Sequence, residues 1–263
     1  DVDIEKAKDY AAEDADITLR LYKKFFKSLK EEKMINIYEV FEKPMIKILA
    51  QMEIQGIKID SKSLKSLSSK FEKKIDKIQR EVFKLSKKEF NIASPKQLGE
   101  ILYNDLKIAD LKKTKKGSFA TSASVLEDLA FKGHKFPQLI LDWRQLSKLK
   151  NTYSDSLPEH INPETKRVHT SFLLAATTTG RLASSDPNLQ NIPIKSEDGK
   201  DIRKAFTAKK DHLLISADYN QIEMRILADL AEVKELKKAF KNNEDIHSLT
   251  ASQIFNIDIK KVD

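Results

Sequence analysis

One acidic residue in the stretch "SADYNQIEM" at 216–224 has the surroundings of a candidate metal ligand. The apolar run "LLI" just before it predicts a buried strand that ends near Asp218, and a helical pattern with Ile222 and Ile226 on one side follows at once. Metal-assisted phosphoryl chemistry normally needs at least one further carboxylate. Asp218 is therefore either a metal ligand or the N-cap of the following helix, and the local pattern alone favours the N-cap.

The segment upstream of this site has a mainly helical pattern. Residues 3–29 and about 35–55 predict two helices, the second ending at Gly56, and "GIKID" predicts a short extended piece. In the next segment apolar residues recur at steps of three and four: Leu64, Leu67, Phe71, Ile75, Ile78, Val82 and Leu85. Such a narrow seam is typical of helices packed lengthwise, and a helix of about 25 residues would be about 38 Å long. We interpret it as a helical arm that projects from the body.

More helices and two strands are predicted after the arm. Ser94 is a predicted N-cap with Pro95 at the first helical position. "SVLEDLAFKG" and "FPQLILDWRQLSKLKNTYSDSLPEHI" predict helices, the latter opened by Pro137, and "RVHTSFLLA" and "HLLISAD" predict strands. The pattern therefore indicates an ordered, helix-rich protein with a few strands.

The positive charge of the chain is concentrated in one segment. The net charge is +8, and residues 60–117 hold 16 Lys and Arg against 8 Asp and Glu, so the rest of the chain is neutral. A local basic excess indicates contact with a polyanion, although a solvated Lys-rich face explains the charge equally well. The absence of Cys excludes disulfides and thiolate metal sites, and no apolar stretch approaches the roughly 18 residues that would span a membrane.

The stretch "TTTGRLASSDPNLQNIPIKSEDGKDIRKAF" at 177–206 has little helical or strand periodicity. A loop of this length in a compact domain is usually functional or disordered. Its apolar residues favour an ordered backbone: Leu182, Leu189, Ile192 and Ile194. An ordered backbone would hold the hydrogen-bonding side chains of Arg181, Asn188 and Gln190 on a fixed frame. An ordinary surface loop is the alternative.

At this point a family resemblance is visible. "TTTGRLASSDPNLQNIP", "SADYNQIEMR" and "DIHSLTASQIF" resemble motifs in the polymerase domain of the bacterial family A DNA polymerases. The similarity continues upstream through "RQLSKLKNTYSDSLP" and "FNIASPKQLGEIL" to "YAAEDADITL", so it covers essentially the whole chain. Three separate motifs in the right order make chance a poor explanation.

The resemblance implies an α+β, predominantly helical fold, that of a right-hand polymerase with a thumb and a partial palm containing an antiparallel sheet, truncated before the fingers and the second palm motif. The implied domains are the end of a 3′–5′ exonuclease-like domain at 1–33, the thumb at 34–160 with a basic tip at about 60–117, the first part of the palm at 161–230 and the start of the fingers at 231–263. The first residue is Asp rather than Met, which also suggests a chain cut out of a longer one.

The resemblance also makes Asp218 the first metal-binding aspartate of the palm, with the backbone carbonyl of Tyr219 nearby. Two Mg²⁺ ions would clamp the attacking 3′-hydroxyl and the leaving pyrophosphate. In the family the second carboxylate lies in a later palm motif that this sequence does not contain, so we expect the chain to be a fragment that is inactive by itself.

Three residues are implied to bind the incoming nucleotide. Glu223 would pack beneath the sugar and select dNTP over NTP, Gln221 lies in the same neighbourhood, and His247 would contact the triphosphate. The alternatives are a surface acid in the first helical turn for Glu223 and a solvated residue for His247, whose helix has Asp245 as its predicted N-cap.

Five residues near the centre of the chain are implied to contact primer-template DNA. Arg181 would contact the minor groove at the primer end, where a donor can test pair shape without reading sequence. Asn188 and Gln190 would act on the template or primer nearby, and the alternative for all three is hydrogen bonding within the loop. Arg144 and Lys148 would contact the DNA backbone, and their alternative is helix-surface charge beside Trp143.

Two further basic groups are implied to contact DNA. Lys112, Lys113, Lys115 and Lys116 form a basic loop that in the family lies on the DNA-facing side of the thumb, where phosphate contacts give affinity without sequence reading. Lys195 follows "NIPI" at a position where many relatives carry Arg, and Lys lacks the bidentate fork of Arg.

Near the N-terminus, Tyr10 and Asp14 share a helix face and match the third exonuclease motif, where Asp binds metal and Tyr orients water. The alternative is plain helix surface.

Together these implications describe a DNA-directed DNA polymerase that acts in replication and repair. Its partners would be primer-template DNA and dNTPs, without a membrane. We expect a monomer in the bacterial cytoplasm, associated with the nucleoid through DNA. Two alternatives remain, a non-catalytic DNA-binding module of the same fold and the remnant of an enzyme that degrades 3′ ends but does not polymerise.

Overall fold

The computed structural model describes residues 3–108, 119–194 and 196–262, which form two compact units. The first unit ends at His212 and the second begins at Leu213. This boundary differs from the domain limits implied by the sequence, and the assignment of thumb, palm and fingers stays a prediction.

The first unit is built mainly of helices. Its α-helices are α1 (Ile4–Glu31), α2 (Ile35–Ile37), α3 (Lys43–Gln55), α4 (Ser61–Ser86), α5 (Pro95–Gly99), α6 (Ala123–Phe131), α7 (Lys135–Leu149), α8 (Ser156–Glu159) and α9 (Glu197–Lys204). Wider π-helical turns occupy Tyr38–Glu42, Glu100–Asp105 and Lys150–Asp155. The predicted helices over 3–29 and 35–55 are thereby confirmed, whereas α7 begins two residues before Pro137.

Helix α4 is the predicted arm, and its ends are set by local chemistry. The Asp60 carboxylate accepts hydrogen bonds from the backbone N–H groups of Lys62 and Ser63 at 3.0 and 3.2 Å, which satisfies two otherwise unpaired donors. At the other end Lys87 adopts a left-handed conformation. The apolar seam packs lengthwise against α7, so the arm lies along another helix of the same unit.

Two clusters of buried residues share α4 and α7. One cluster includes Val82, Leu98 and Ile140, and the other includes Phe71 and Ile202. Phe71 and Ile202 are both fully buried although they are far apart in sequence. The second cluster therefore connects the arm to the 177–206 stretch.

Two small antiparallel sheets complete the described part of the first unit. β1 (Lys58–Ile59) pairs with β4 (Phe206–Thr207), and β2 (Ser171–Leu173) pairs with β3 (Ala183–Ser185). Gly56, which ends α3, has a φ of +57°, and a Cβ there would lie 2.6 Å from the Val168 carbonyl oxygen. A side chain at position 56 would therefore be both strained and crowded.

The predicted strand over "HLLISAD" is wrong. Residues 212–218 form no strand, and Leu213 and Ile215 are 89% and 91% exposed. A strand needs a neighbouring backbone to pair with, and no described segment pairs with this one. "RVHTSFLLA" contains β2, as predicted.

The second unit consists of α10 (Ile222–Leu230), α11 (Lys234–Lys241), α12 (Ile246–Phe255) and a 3₁₀ turn, Ile259–Lys261. The Arg225 guanidinium lies 4.4 Å from the centre of the Phe240 ring, which ties α10 to α11. Within its described range, the second unit has three buried residues: Ala228, Ala239 and Ile246. Among the described residues of both units, no helix combines the length and apolar character needed to cross a bilayer.

Candidate functional site

The 188–194 loop of the first unit is held by hydrogen bonds to its backbone carbonyls. The Tyr153 hydroxyl donates to the Asn191 carbonyl at 2.5 Å. The Arg203 guanidinium donates to the carbonyls of Ile192 and Pro193 at 2.9 and 3.1 Å. These contacts come from α9 and from the π-helical turn after α7, so the loop has a defined backbone, as the sequence predicted.

Apolar packing also orders this loop, though only some of the predicted side chains take part. Leu189 and Ile192 pack against the buried cluster that contains Phe71. Ile194 is 60% exposed, so its predicted role in holding the loop is wrong.

The hydrogen-bonding residues of the loop differ in how they are used. The Asn188 carboxamide oxygen accepts from the Ser184 hydroxyl at 3.3 Å and from the Gln190 backbone N–H at 3.0 Å. This geometry favours the loop-internal alternative for Asn188. The side chains of Gln190 and Arg181 lie on the surface, and the Arg181 carbonyl accepts from the Thr177 hydroxyl at 2.8 Å.

A groove of about 600 Å³ brings Arg144 and Lys148 together with Tyr153, Asn191 and Pro193. The two basic residues lie one turn apart on α7, as the sequence predicted, and the loop forms part of the groove wall. Glu127 and Asp142 also line the groove, so it holds as many acidic as basic side chains. Arg144 and Lys148 are the groups there that could bind a phosphate chain.

Arg144 is also part of the protein interior. Its guanidinium donates to the Thr121 carbonyl at 2.8 Å, and burial lowers its pKa below the usual value. The neighbouring Trp143 packs against the first buried cluster, and its indole N–H is buried without a hydrogen-bond partner among the described residues. Arg144 therefore combines a structural contact with a place in the groove wall, whereas Lys148 is exposed.

Five of the predicted DNA-binding residues lie outside the described residues: Lys112, Lys113, Lys115, Lys116 and Lys195.

The candidate metal ligand lies in the second unit. Asp218 and Tyr219 are exposed in an irregular segment. The N-cap of α10 is Gln221, in a left-handed conformation, so the interpretation of Asp218 as the N-cap is wrong. Within the described ranges, no group of three or more Asp, Glu, His or Cys side chains could hold a metal ion. The Asp218 carboxylate and the Tyr219 carbonyl are oxygen donors of the kind that Mg²⁺ prefers, and they would need further ligands.

Asp245 links two predicted nucleotide-binding residues. Its carboxylate accepts from the backbone N–H of His247 and from the Gln221 side-chain amide, both at 3.2 Å. Hydrogen bonds lower the pKa of the Asp245 carboxyl group, and the bond from the Ser248 hydroxyl has the largest effect. The predicted N-cap is confirmed, and Gln221 is thereby held at the start of α12. Glu223 lies in the first turn of α10.

Tyr10 and Asp14 lie on the exposed surface of α1. The expected helical spacing is present, and the role of the pair in an exonuclease site stays a prediction.

Sequence reasoning missed the residues that fix the loop, Tyr153 and Arg203. Tyr153 lies in a predicted helix and in one of the segments that resemble the family, and neither feature indicates a contact with the loop. Arg203 lies in the 177–206 stretch, for which the sequence predicted little helical or strand structure. That prediction is wrong in part, because β3 and α9 lie in this stretch.

The comparison with solved structures identifies the class of protein. The chain superimposes on the POL domain of Pol1 from M. smegmatis, in complex with DNA primer-template and dNTP, with a TM-score of 0.84. The two sequences are 37% identical, and the match covers 93% of this chain and 43% of that one. The helical fold with its small antiparallel sheets is therefore that of part of a DNA polymerase domain.

The family follows from the sequence comparisons. Residues 61–263 match DNA polymerase family A, and the chain belongs to that family. It is 49% identical over 259 residues to DNA polymerase I of Rhizobium leguminosarum. It is 44% identical to DNA polymerase I of Pseudomonas aeruginosa over 260 residues and 44% identical to the thermostable DNA polymerase I of Thermus filiformis over 255. The chain spans 26%, 28% and 30% of the lengths of these relatives. The family resemblance of the motifs is thereby confirmed.

Proposed function

We propose that this chain is part of a DNA-directed DNA polymerase that adds dNTPs to the 3′-hydroxyl of a primer during replication and repair. The observation that carries this proposal is the match of 93% of the chain to a polymerase domain bound to primer-template and dNTP. The chain spans about a quarter to a third of its relatives, and we propose that it is inactive when isolated.

The first unit would bind the primer-template. Arg144 and Lys148 in the groove would contact the sugar-phosphate backbone, while Arg181 and Gln190 on the neighbouring surface would contact the primer end. Asn188 would act mainly by holding the loop, because its carboxamide oxygen accepts two hydrogen bonds within it. Lys195 and the lysines of the basic loop (Lys112, Lys113, Lys115 and Lys116) would add phosphate contacts that weaken as salt rises.

The second unit would supply part of the reaction centre. The Asp218 carboxylate and the Tyr219 carbonyl would hold Mg²⁺, together with a further carboxylate and phosphate oxygens. When bound, two such ions stabilise the attacking and leaving oxygens of an in-line displacement. The Asp218 carboxylate would place a negative charge at the primer terminus, where it would hold the metal ion in position.

Three residues of the second unit would bind the incoming nucleotide. Glu223 on α10 would pack against the sugar and disfavour a 2′-hydroxyl. Gln221 and His247 would lie near the triphosphate at the start of α12, where helix amides favour anions. Their placement is supported by the shared hydrogen-bond acceptor Asp245.

The remaining assignments concern the whole polymerase. Tyr10 and Asp14 would belong to a 3′–5′ exonuclease motif. The enzyme would be a monomer that acts on DNA at the bacterial nucleoid.

Primer extension by the full-length gene product tests the proposal. The product, supplied with a labelled primer-template, four dNTPs and Mg²⁺, should lengthen the primer to the end of the template. Salt-sensitive DNA binding without extension would instead support a non-catalytic module. Shortening of the primer in the presence of dNTPs, without extension, would support an exonuclease alone.

A further inference from the structure

Helix α9 is joined to the arm by ion pairs between residues that are distant in sequence. The Lys70 ammonium lies 2.8 Å from the Asp201 carboxylate, and the Lys74 ammonium lies 2.7 Å from that of Asp198. The side chains of Asp201 and Asp198 are 24% and 20% exposed, and those of Lys70 and Lys74 are 48% and 43% exposed. Salt therefore screens these pairs in part, and at low salt they restrict where α9 can lie on α4.

The first turn of α9 is also in close contact with the 188–194 loop. A Cβ on Gly199 would lie 2.7 Å from the Pro193 Cβ and 2.8 Å from the Pro193 carbonyl oxygen. Glycine is thus required here by close approach. Any movement of α9 along the arm would press on Pro193 or withdraw from it.

Arg203 links α9 to the loop through two hydrogen bonds of fixed geometry. Its Nε and Nη2 atoms donate to successive carbonyls of the loop, those of Pro193 and Ile192. A planar guanidinium offers two donors in fixed geometry, which the single ammonium of Lys cannot reproduce. The next residue toward the N-terminus, Ile202, is fully buried, so the backbone that carries Arg203 is itself fixed.

The carbonyls held by Arg203 belong to the segment that forms one wall of the groove, which two basic and two acidic side chains line: Arg144, Lys148, Glu127 and Asp142. Asn191 and Pro193 line that groove with Arg144 and Lys148. The Asn191 carbonyl is held from the other side by Tyr153. Contacts from α9 therefore reach the groove through a short path of hydrogen bonds.

We propose that α9 is a positioning element for primer-template binding, in which Arg203 sets the backbone of the 188–194 loop and the pairs of Asp198 and Asp201 with the arm set the position of α9. The inference rests on the proposed function in taking the groove as a DNA site. Arg203 is a positioning residue, because its guanidinium is directed at the loop backbone.

The test compares Arg203→Gln with Lys200→Gln in the full-length protein. Lys200 lies on the same helix, carries the same charge and pairs with Glu197 within α9, so it controls for the loss of one positive charge. The Leu189 amide donates to the Ser184 hydroxyl of β3, and the Gln190 amide donates to the Asn188 carboxamide oxygen. Hydrogen exchange of these two amides reports loop order without DNA.

In Arg203→Gln we expect these amides to exchange roughly 10- to 100-fold faster, because hydrogen bonds to a charged donor are lost. The Kd for primer-template should rise by a similar factor, while kcat at saturating DNA should change by less than about threefold. Arg203→Lys should recover part of both effects. Lys200→Gln should change neither by more than about twofold.

Two milder variants keep the test valid if Arg203→Gln folds poorly. Tyr153→Phe removes only the hydroxyl that holds Asn191 and should act in the same direction. The double variant Asp198→Asn with Asp201→Asn should speed loop exchange about two- to fivefold at low salt. High salt weakens the same ion pairs in the unaltered protein, so the difference in exchange between the two proteins should become smaller.

Loop exchange in Arg203→Gln and Tyr153→Phe equal to that in Lys200→Gln would overturn the proposal, and so would unchanged primer-template affinity despite faster exchange. Failure of the proposed function is seen separately, as absence of primer extension by the unaltered protein. In that event faster loop exchange with weaker DNA binding still supports the positioning role of α9.

Discussion

The two units differ in how they hold their candidate functional groups. In the first unit, the 188–194 loop is fixed by Tyr153, by Arg203 and by packing against a buried cluster. In the second unit, Asp218 lies in an exposed irregular segment, after apolar residues that are also exposed. A functional group is held accurately only when surrounding residues restrict it.

The backbone of the 188–194 loop is thus fixed by its surroundings, whereas the candidate metal ligand Asp218 is exposed. Within the described residues of the second unit, only Ala228, Ala239 and Ile246 are buried.

Replacement of Asp218 by Ala in the full-length protein should lower the rate of primer extension roughly a thousandfold or more, because a metal ligand contributes several kcal/mol to the transition state. Primer-template affinity should stay within about twofold, since the residues proposed to contact DNA lie in the first unit. Gel-based extension and fluorescence anisotropy measure the two quantities. Glu235→Ala, which removes an exposed carboxylate from α11, is the control, and equal rates in the two variants would refute the assignment.

Phe71 is fully buried. Phe71→Ala should therefore lower the free energy of unfolding of the first unit by about 3–5 kcal/mol, because the lost packing leaves a cavity. The corresponding change in the second unit, Leu230→Ala at a site 80% exposed, should cost no more than about 0.5 kcal/mol. Urea-dependent hydrogen exchange of each unit measures both values. If Leu230→Ala lowered the free energy of unfolding as much as Phe71→Ala, the Leu230 side chain would be buried in the full-length protein.

Glu223→Ala should weaken discrimination against ribonucleotides. The ratio of kcat/KM for a dNTP to that for the matching NTP should fall roughly 10- to 100-fold, the range expected when one selective contact is removed. Extension of one primer with each nucleotide measures the ratio. Glu235→Ala again serves as the control, and an unchanged ratio in Glu223→Ala would exclude sugar selection by this residue.

The smallest effect concerns the ion pairs of α9. Hydrogen bonds from Lys70 and then from Lys204 lower the pKa of Asp201 from 3.8 to about 2, so these pairs stabilise the fold when the carboxylate is ionised. This contribution is present above the unfolded pKa and is lost as pH falls through about 4 to about 2. Asp201→Asn should therefore cost at most about 1 kcal/mol near neutral pH.

The stability difference between Asp201→Asn and the unaltered protein should shrink toward zero near pH 2. Unfolding followed by circular dichroism at several pH values measures it. A difference that stays constant down to pH 2 would contradict the ion pair, and Lys200→Gln provides a control on the same helix.

Local features of the fold could be predicted from the sequence because their causes are local. The seam of α4 follows from apolar spacing, and the caps at Ser94 and Asp245 follow from side chains that accept nearby backbone N–H groups. The order of the 177–206 stretch was also foreseen from its apolar residues.

Two of the failed or open predictions depended on contacts beyond the local sequence, and one depended on where a helix begins. Leu213 and Ile215 suit a buried strand, but no described segment pairs with them. Asp218 suits an N-cap, yet the backbone at Gln221 takes that position. The sequence left the role of Asn188 undecided, because its hydrogen bonds depend on how the loop closes.

By itself, the sequence determined the family, through three ordered motifs, and the residues that could act as metal, nucleotide or DNA ligands. Only the tertiary structure decided that α9 joins the arm to the 188–194 loop, since Lys70 and Asp201 are 131 positions apart. Hydrogen bonds and ion pairs act over a few ångströms. A chain folds by bringing distant residues within that range, and no local pattern specifies which ones meet.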